Sequence, residues 1–179
     1  EHMKELAEKI KPYLKLLRVG NLAFLVALLY VMEKWVAVPL LHVDKFQEQM
    51  PWWVLTLLIV SVVCIAAGGY VINDYFDVKI DRINHPDDLI VTRVSSRDTA
   101  MRWFQVLTVV GIVAGLTVAW WARSWNLLFI YVVIPGLLWF YSASYKRMLL
   151  VGNLIVAFIS ALVPLLVAII NADYLKHLY

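Results

Sequence analysis

Residues 51–81 read PWWVLTLLIVSVVCIAAGGYVINDYFDVKID. From Pro51 to Ile72 the stretch contains no Asp, Glu, Lys or Arg. A helix of that length, at about 1.5 Å per residue, crosses the roughly 30 Å apolar layer of a bilayer. The run closes on Asn73-Asp74-Tyr75-Phe76-Asp77-Val78-Lys79-Ile80-Asp81. Asp74, Asp77 and Asp81 stand at i, i+3 and i+7. At about 100° per residue they share an arc of roughly 60° on one helix face. Ionisable groups at the edge of a span are costly and mark function by default. Three aligned carboxylates would also repel one another unless a cation or ligand sat among them.

Composition extends the same reading to the whole chain. Its 179 residues are 63% hydrophobic and the mean hydropathy is +0.76. A soluble domain is about 45–50% apolar on a similar count. The excess falls in long runs, which indicates spanning helices and not a larger core. The formal charge of +3 does not signal nucleic acid, because the basic residues flank apolar runs, where lipid headgroups and membrane orientation account for them. Cys64 stands alone in an apolar run and forms no disulfide within the chain. The charged, amphipathic N-terminus lacks the pattern of a cleaved signal peptide.

Runs of about 20 apolar residues occur five times. The expected spans are 19–41, 52–80, 99–122, 125–145 and 151–170, the last carrying Pro164 as a candidate kink. Glu33 and Lys34 fall near the far end of the first span, within reach of the interface. Ahead of it, residues 4–17 place Leu6, Ile10, Tyr13, Leu14 and Leu17 at helical spacing between lysines, the pattern of a helix lying in the membrane surface. Trp52, Trp53, Trp120, Trp121 and Trp125 suit aromatic belts at span ends. The expected fold is therefore an all-α integral membrane protein: one membrane domain of about five transmembrane helices preceded by an amphipathic interfacial helix.

Five crossings sort the sixteen Lys and Arg unevenly. Lys4, Lys9, Lys11, Lys15, Arg18, Lys79, Arg82, Arg93, Arg97, Arg102, Lys146 and Arg147 fall on the N-terminal side, and Lys34, Lys45, Arg123 and Lys176 on the other. Twelve against four puts the N-terminus in the cytoplasm of a multi-pass inner or plasma membrane. The cytoplasmic end then gathers the aspartates, Arg18 with Asn21, the segment Tyr141-Ser142-Ala143-Ser144-Tyr145-Lys146-Arg147, and Gly152-Asn153. Mg²⁺ takes one or two carboxylates together with phosphate oxygens and water, and basic side chains complete the balance around a diphosphate. Such a site, half in lipid, suits a ligand with an anionic head and an apolar tail. A prenyl diphosphate has that shape; other lipid phosphates meet the same spacing.

The ordered motifs are more specific than the stripe alone. Asn73-Asp74-x-x-Asp77-x-x-x-Asp81 resembles the first aspartate-rich motif of the UbiA superfamily of intramembrane prenyltransferases. Arg82-Ile83-Asn84-His85-Pro86, Ile90-Val91 and Ser96-Arg97 resemble the loop that follows it. Leu17-Arg18-x-x-Asn21 is similar to the family's first-helix pattern. Tyr141-Ser142 with Lys146-Arg147, then Gly152-Asn153-Leu154, are similar to the end of the fourth helix and the start of the fifth. The resemblance implies a Mg²⁺-dependent membrane enzyme that moves an isoprenoid chain from its diphosphate to a small-molecule acceptor, either an aromatic quinone precursor or a glycerol-phosphate lipid precursor, with the loop and the Tyr-Ser-x-x-x-Lys pattern nearer the second. It assigns Asp74, Asp77 and Asp81 to the metal and to catalysis, with Asn73 a polar neighbour. Arg18, Arg82 and Lys146 would contact phosphate oxygens, and Asn21, Tyr141 and Asn153 would line the pocket.

The chain departs from the family pattern in its loop, with Asp88 in place of a basic residue and Thr92 in place of a glycine. The larger departure is that no second aspartate stripe follows Asp81, although the family carries one within about nine helices. The expectation is thus the N-terminal half of such an enzyme, a fragment or a truncated paralogue, with little or no transferase activity alone. Two rivals stand beside it. A non-catalytic membrane partner would need neither metal nor diphosphate. A CDP-alcohol phosphotransferase would place Gly after the second Asp, where this chain has Val78-Lys79.

Overall fold

In the computed structural model, which describes residues 2–43, 46, 49–84 and 96–179 (side chains at 2, 43, 78–84, 145 and 149 excepted), every regular element among the described residues is helical. Helix α1 covers His2–Leu16. Helix α2, Val19–Val31, runs through a π-helical segment, Met32–Ala37, into the short α3, Val38–Val43. Then follow α4, Trp52–Asn84; α5, Arg97–Trp121; α6, Trp125–Ala143; and α7, Leu149–Leu175. Five stretches are long and apolar enough to cross a membrane, Val19–His42, Trp52–Asp77, Arg97–Trp121, Trp125–Ala143 and Leu150–Leu175. The chain is an all-α integral membrane protein. Helix α7 continues through Pro164 without interruption.

Helix ends follow local chemistry. Ser96 caps α5, its hydroxyl accepting from the Thr99 amide at 3.1 Å. Ser124 caps α6 through the Leu127 amide at 3.2 Å. Each cap satisfies an amide that the first helical turn leaves without a partner. The tight α5–α6 turn also places Arg123 at φ 49, a left-handed conformation.

Helix α4 is the central element and packs most extensively on α5. The contact is close because Gly111 on α5 presents no side chain. A Cβ on Gly111 would stand 2.6 Å from Ile65 Cγ1 and 3.0 Å from the Ser61 carbonyl oxygen. A small residue at such a contact lets membrane helices approach backbone to backbone, where packing replaces the hydrophobic drive that lipid removes. The main core gathers Leu29, Val54, Leu58, Val118, Leu127, Tyr131, Val167 and Ile170 from α2 and α4–α7. A second cluster joins Leu16 of α1 to Val71 and Ala100, docking the end of α1 on α4 and α5. The apolar residues Met3, Leu6, Ile10, Tyr13 and Leu14 of α1 remain exposed.

Glu33 differs from its sequence reading. It does not reach the interface: it is 0% exposed, and one carboxylate oxygen accepts from Asn171 Nδ2 at 2.9 Å. The π-helical segment adds a residue to the turn and carries Glu33 inward against α7. Hydropathy alone could not foretell this, because the partner lies on the last helix. The tryptophans divide in two. Trp52, Trp53, Trp120 and Trp125 are exposed, whereas the half-buried Trp121 stacks on Tyr174 at 4.2 Å between ring centres and meets Trp53 edge-on.

Candidate functional site

A half-open cavity of about 550 Å³ lies between α2, α4, α6 and α7. One end is polar, lined by Arg18, Asn21, Tyr70, Asn73, Tyr141 and Ser142. The remaining wall is almost wholly apolar, with Leu25, Val62, Ile134, Leu138 and Val163 among its residues. The polar end coincides with the start of α2 and the ends of α4 and α6, so the alternating helix directions bring these groups to one side of the bundle.

Arg18 stands at the break between α1 and α2 with φ 49 and ψ 52. A left-handed backbone is unfavourable for a residue with a Cβ, and such strain is found at functional positions. Here it turns the arginine toward α4. The guanidinium lies 5.0 Å above the centre of the Tyr70 ring and its Nη2 is 3.5 Å from Asp74 Oδ1. The ring face attracts the cation, which holds the long side chain over the aspartate stripe.

Asp77, one turn on, pairs with Lys146, which follows α6 in a single 3₁₀ turn, Tyr145–Arg147. Lys146 Nζ also donates to Asn73 Oδ1 at 3.3 Å, and Asn73 Nδ2 donates to the second Asp77 oxygen at 3.2 Å. Asn73, Asp77 and Lys146 therefore form a closed network across α4 and the end of α6. Behind it, Phe76 meets Trp139 edge-on at 5.4 Å, Trp139 contacts Phe104, and Arg97 sits 4.5 Å over Tyr75. These rings fix α4, α5 and α6 relative to one another beneath the charged face.

Asp74, Asp77, Arg18, Lys146 and Asn73 thus come together, and Asn21 and Tyr141 line the cavity beside them. Asn153 does not join them: it is exposed near the start of α7 and outside the cavity lining. Asp81 and Arg82 lie on the backbone of α4, but their side chains are outside the described residues. His85, Pro86, Asp87, Asp88, Ile90, Val91 and Thr92 are outside them altogether. Tyr70 has no place in the sequence reading, and Ser142 enters there only within the Tyr-Ser-x-x-x-Lys pattern, with no role of its own. Tyr70 had a signal, since it precedes Asp74 by four residues and Asp77 by seven and so shares their face.

Asp74 and Asp77 offer hard oxygen donors one turn apart, and their side chains remain 26% and 24% exposed. That donor set suits Mg²⁺, which commonly takes one or two carboxylates and fills its other positions with water and phosphate. Among the described residues no three His, Cys, Asp or Glu gather closely enough to hold a metal by themselves. The two cations already on the carboxylates would become free for anionic oxygens once a divalent ion took their place.

Residues 45–175 match the UbiA prenyltransferase family. The digeranylgeranylglyceryl phosphate synthases of Sulfolobus acidocaldarius and Sulfurisphaera tokodaii are each 36% identical, over 86% of this chain and 50% of their own length. A solved structure, described as giving structural and mechanistic insights into digeranylgeranylglyceryl phosphate synthase in membranes, superposes with a TM-score of 0.70 at 27% identity. It is similar over 91% of this chain and 53% of its own. The chain spans about half the length of the curated relatives it matches.

Proposed function

This chain belongs to the UbiA prenyltransferase family, and from that premise we propose that it binds an isoprenyl diphosphate with Mg²⁺ for transfer of the prenyl chain to a glycerol-phosphate-type acceptor. One observation carries the reading: Arg18 and Asn73 line the polar end of an apolar cavity, and through them Asp74, Asp77 and Lys146 are paired beside it. A diphosphate needs the polar end and an isoprenoid tail needs the wall. The relatives' name describes geranylgeranyl groups on a glyceryl phosphate, which favours that acceptor over an aromatic ring.

Each residue then has a physical task. Asp74 and Asp77 would hold the divalent ion, whose bound charge stabilises the departing diphosphate. Arg18 contributes a fork of donors matched to phosphate geometry, while Lys146 acts as a compact point charge. Arg18 is pre-set for this by its backbone and by Tyr70, so little rotamer freedom is lost on binding. The apolar walls exclude water from the reacting carbon. In orientation, the N-terminus and the polar end face the cytoplasm, which the twelve-to-four division of basic residues supports.

The 179 residues carry one aspartate stripe, so alone they bind donor and transfer little of it. The test incubates the purified chain with Mg²⁺ and a labelled prenyl diphosphate, offering either a glycerol-phosphate prenyl ether or a hydroxybenzoate. Expected is donor binding with transfer close to background. Efficient transfer would overturn the assignment of limited activity, and transfer to the aromatic acid alone would overturn the acceptor.

A further inference from the structure

The cavity ends abruptly. On α4 its lining runs from Asn73 to Val62, about 16 Å at the helical rise. On α6 it runs from Ser142 to Ile130 and Tyr131. Beyond these residues the bundle is solid, for Leu29, Leu58 and Leu127 are all completely buried. Among the residues at this inner end, Tyr131 is the largest and is fixed from two directions.

The first constraint is Gly115 on α5. A Cβ there would lie 2.3 Å from Tyr131 Cε1 and 2.5 Å from two further ring atoms. The ring therefore rests against the bare backbone of α5 and cannot retreat from the cavity. The second constraint is Ser61 on α4, whose hydroxyl is 2.7 Å from the Tyr131 hydroxyl. Ser61 donates its one hydrogen to the Leu58 carbonyl at 2.7 Å, so Tyr131 must be the donor to Ser61. A buried hydroxyl with a single defined partner gives the ring one position.

We propose that Tyr131, backed by Gly115 and pinned by Ser61, is the gauge that sets the length of prenyl tail the cavity accepts. The proposal rests on the functional reading above, in which the apolar cavity holds the tail. It makes two neighbouring substitutions act in opposite directions. Tyr131→Ala removes the floor and opens the cavity toward Gly115. Gly115→Ala pushes the ring into the cavity and shortens it. Tyr131→Phe keeps the ring and leaves the length preference in place.

Equilibrium binding to the purified chain in lipid nanodiscs with Mg²⁺ tests this, using prenyl diphosphates of three, four, five and six isoprene units. In Tyr131→Ala, the affinity ratio of the longest to the shortest tail should rise about tenfold or more, since each further buried methylene adds to binding. In Gly115→Ala the ratio should fall by a similar factor. Should Tyr131→Ala fail to purify as a monodisperse protein, Tyr131→Leu asks the same question with less lost volume. A ratio unchanged in the Ala or Leu variant, or moved the same way by Gly115→Ala, would overturn the gauge. Wild-type binding that depends on Asp74 and Asp77 yet ignores tail length removes the gauge and keeps the functional reading. Wild-type protein that binds none of the four removes both.

Discussion

Replacing Lys146 with methionine separates two roles that the structure assigns to one ammonium group. Lys146 pairs with Asp77 and donates to Asn73, and its side chain is only 13% exposed. An exposed ion pair is worth about 0–1 kcal/mol, and stripping the partner from a fully buried one costs about 3–5 kcal/mol. The Asp77 side chain keeps 24% exposure and one bond from Asn73, so Lys146→Met should destabilise the protein by about 2 kcal/mol. Its effect on metal should have the opposite sign. In the free protein Lys146 occupies the carboxylate that Mg²⁺ requires, so its removal leaves Asp77 more available to the ion. With the Coulomb energy discounted for partial exposure, Mg²⁺ affinity should rise about tenfold. Diphosphate affinity should fall by about tenfold or more, because a charge-assisted hydrogen bond is lost. Calorimetric titration with Mg²⁺, with and without inorganic pyrophosphate, reads both terms, and thermal unfolding followed by tryptophan fluorescence reads stability. If Lys146→Met bound Mg²⁺ more weakly than wild type, the competition inferred between Lys146 and the metal would be wrong.

Three further outcomes follow from other parts of the bundle. Asn171→Ala removes the side-chain hydrogen bond that Glu33 accepts inside the protein, and thermal unfolding in detergent should show a loss of about 1–3 kcal/mol; the same loss in a Glu33→Leu background would show that the carboxylate is not the reason. Gly111→Val places a branched side chain where even a Cβ meets Ile65 at 2.6 Å, which should cost about 1–3 kcal/mol by the same assay. Wild-type stability in that variant would mean that α4 and α5 pack less closely than described. Ser96→Cys should react with an impermeant maleimide only from the cytoplasmic side of oriented vesicles, and labelling from outside would invert the topology.

The architecture was legible in the sequence because a bilayer imposes a length. A run such as Pro51–Ile72 has few alternatives to a span, and length and hydropathy mark five such stretches. The aspartate stripe was legible because helical periodicity acts within one element. What lay hidden was contact between elements. Nothing in local spacing tells that Lys146 meets Asp77 across 69 residues, or that Asn171 meets Glu33 across 138. The inward turn of Glu33 depends on the π-helical segment, which hydropathy does not register. Gly111 and Gly115 show a recognisable spacing, but only the packed α5 reveals that one faces Ile65 and the other the Tyr131 ring. Arg18 was expected at the site from its motif, whereas its left-handed backbone and its seat over Tyr70 come from the fold alone.

We propose that Asp74 and Asp77 form a metal-dependent diphosphate site beside the polar end of the cavity. It is tested most directly by titrating an isoprenyl diphosphate into the purified chain in nanodiscs, with Mg²⁺ and with EDTA, for the wild type and for Asp74→Ala and Asp77→Ala. Saturable binding is expected with Mg²⁺, lost in EDTA and weakened at least about tenfold by each substitution. Binding of equal strength in all of these conditions would contradict it.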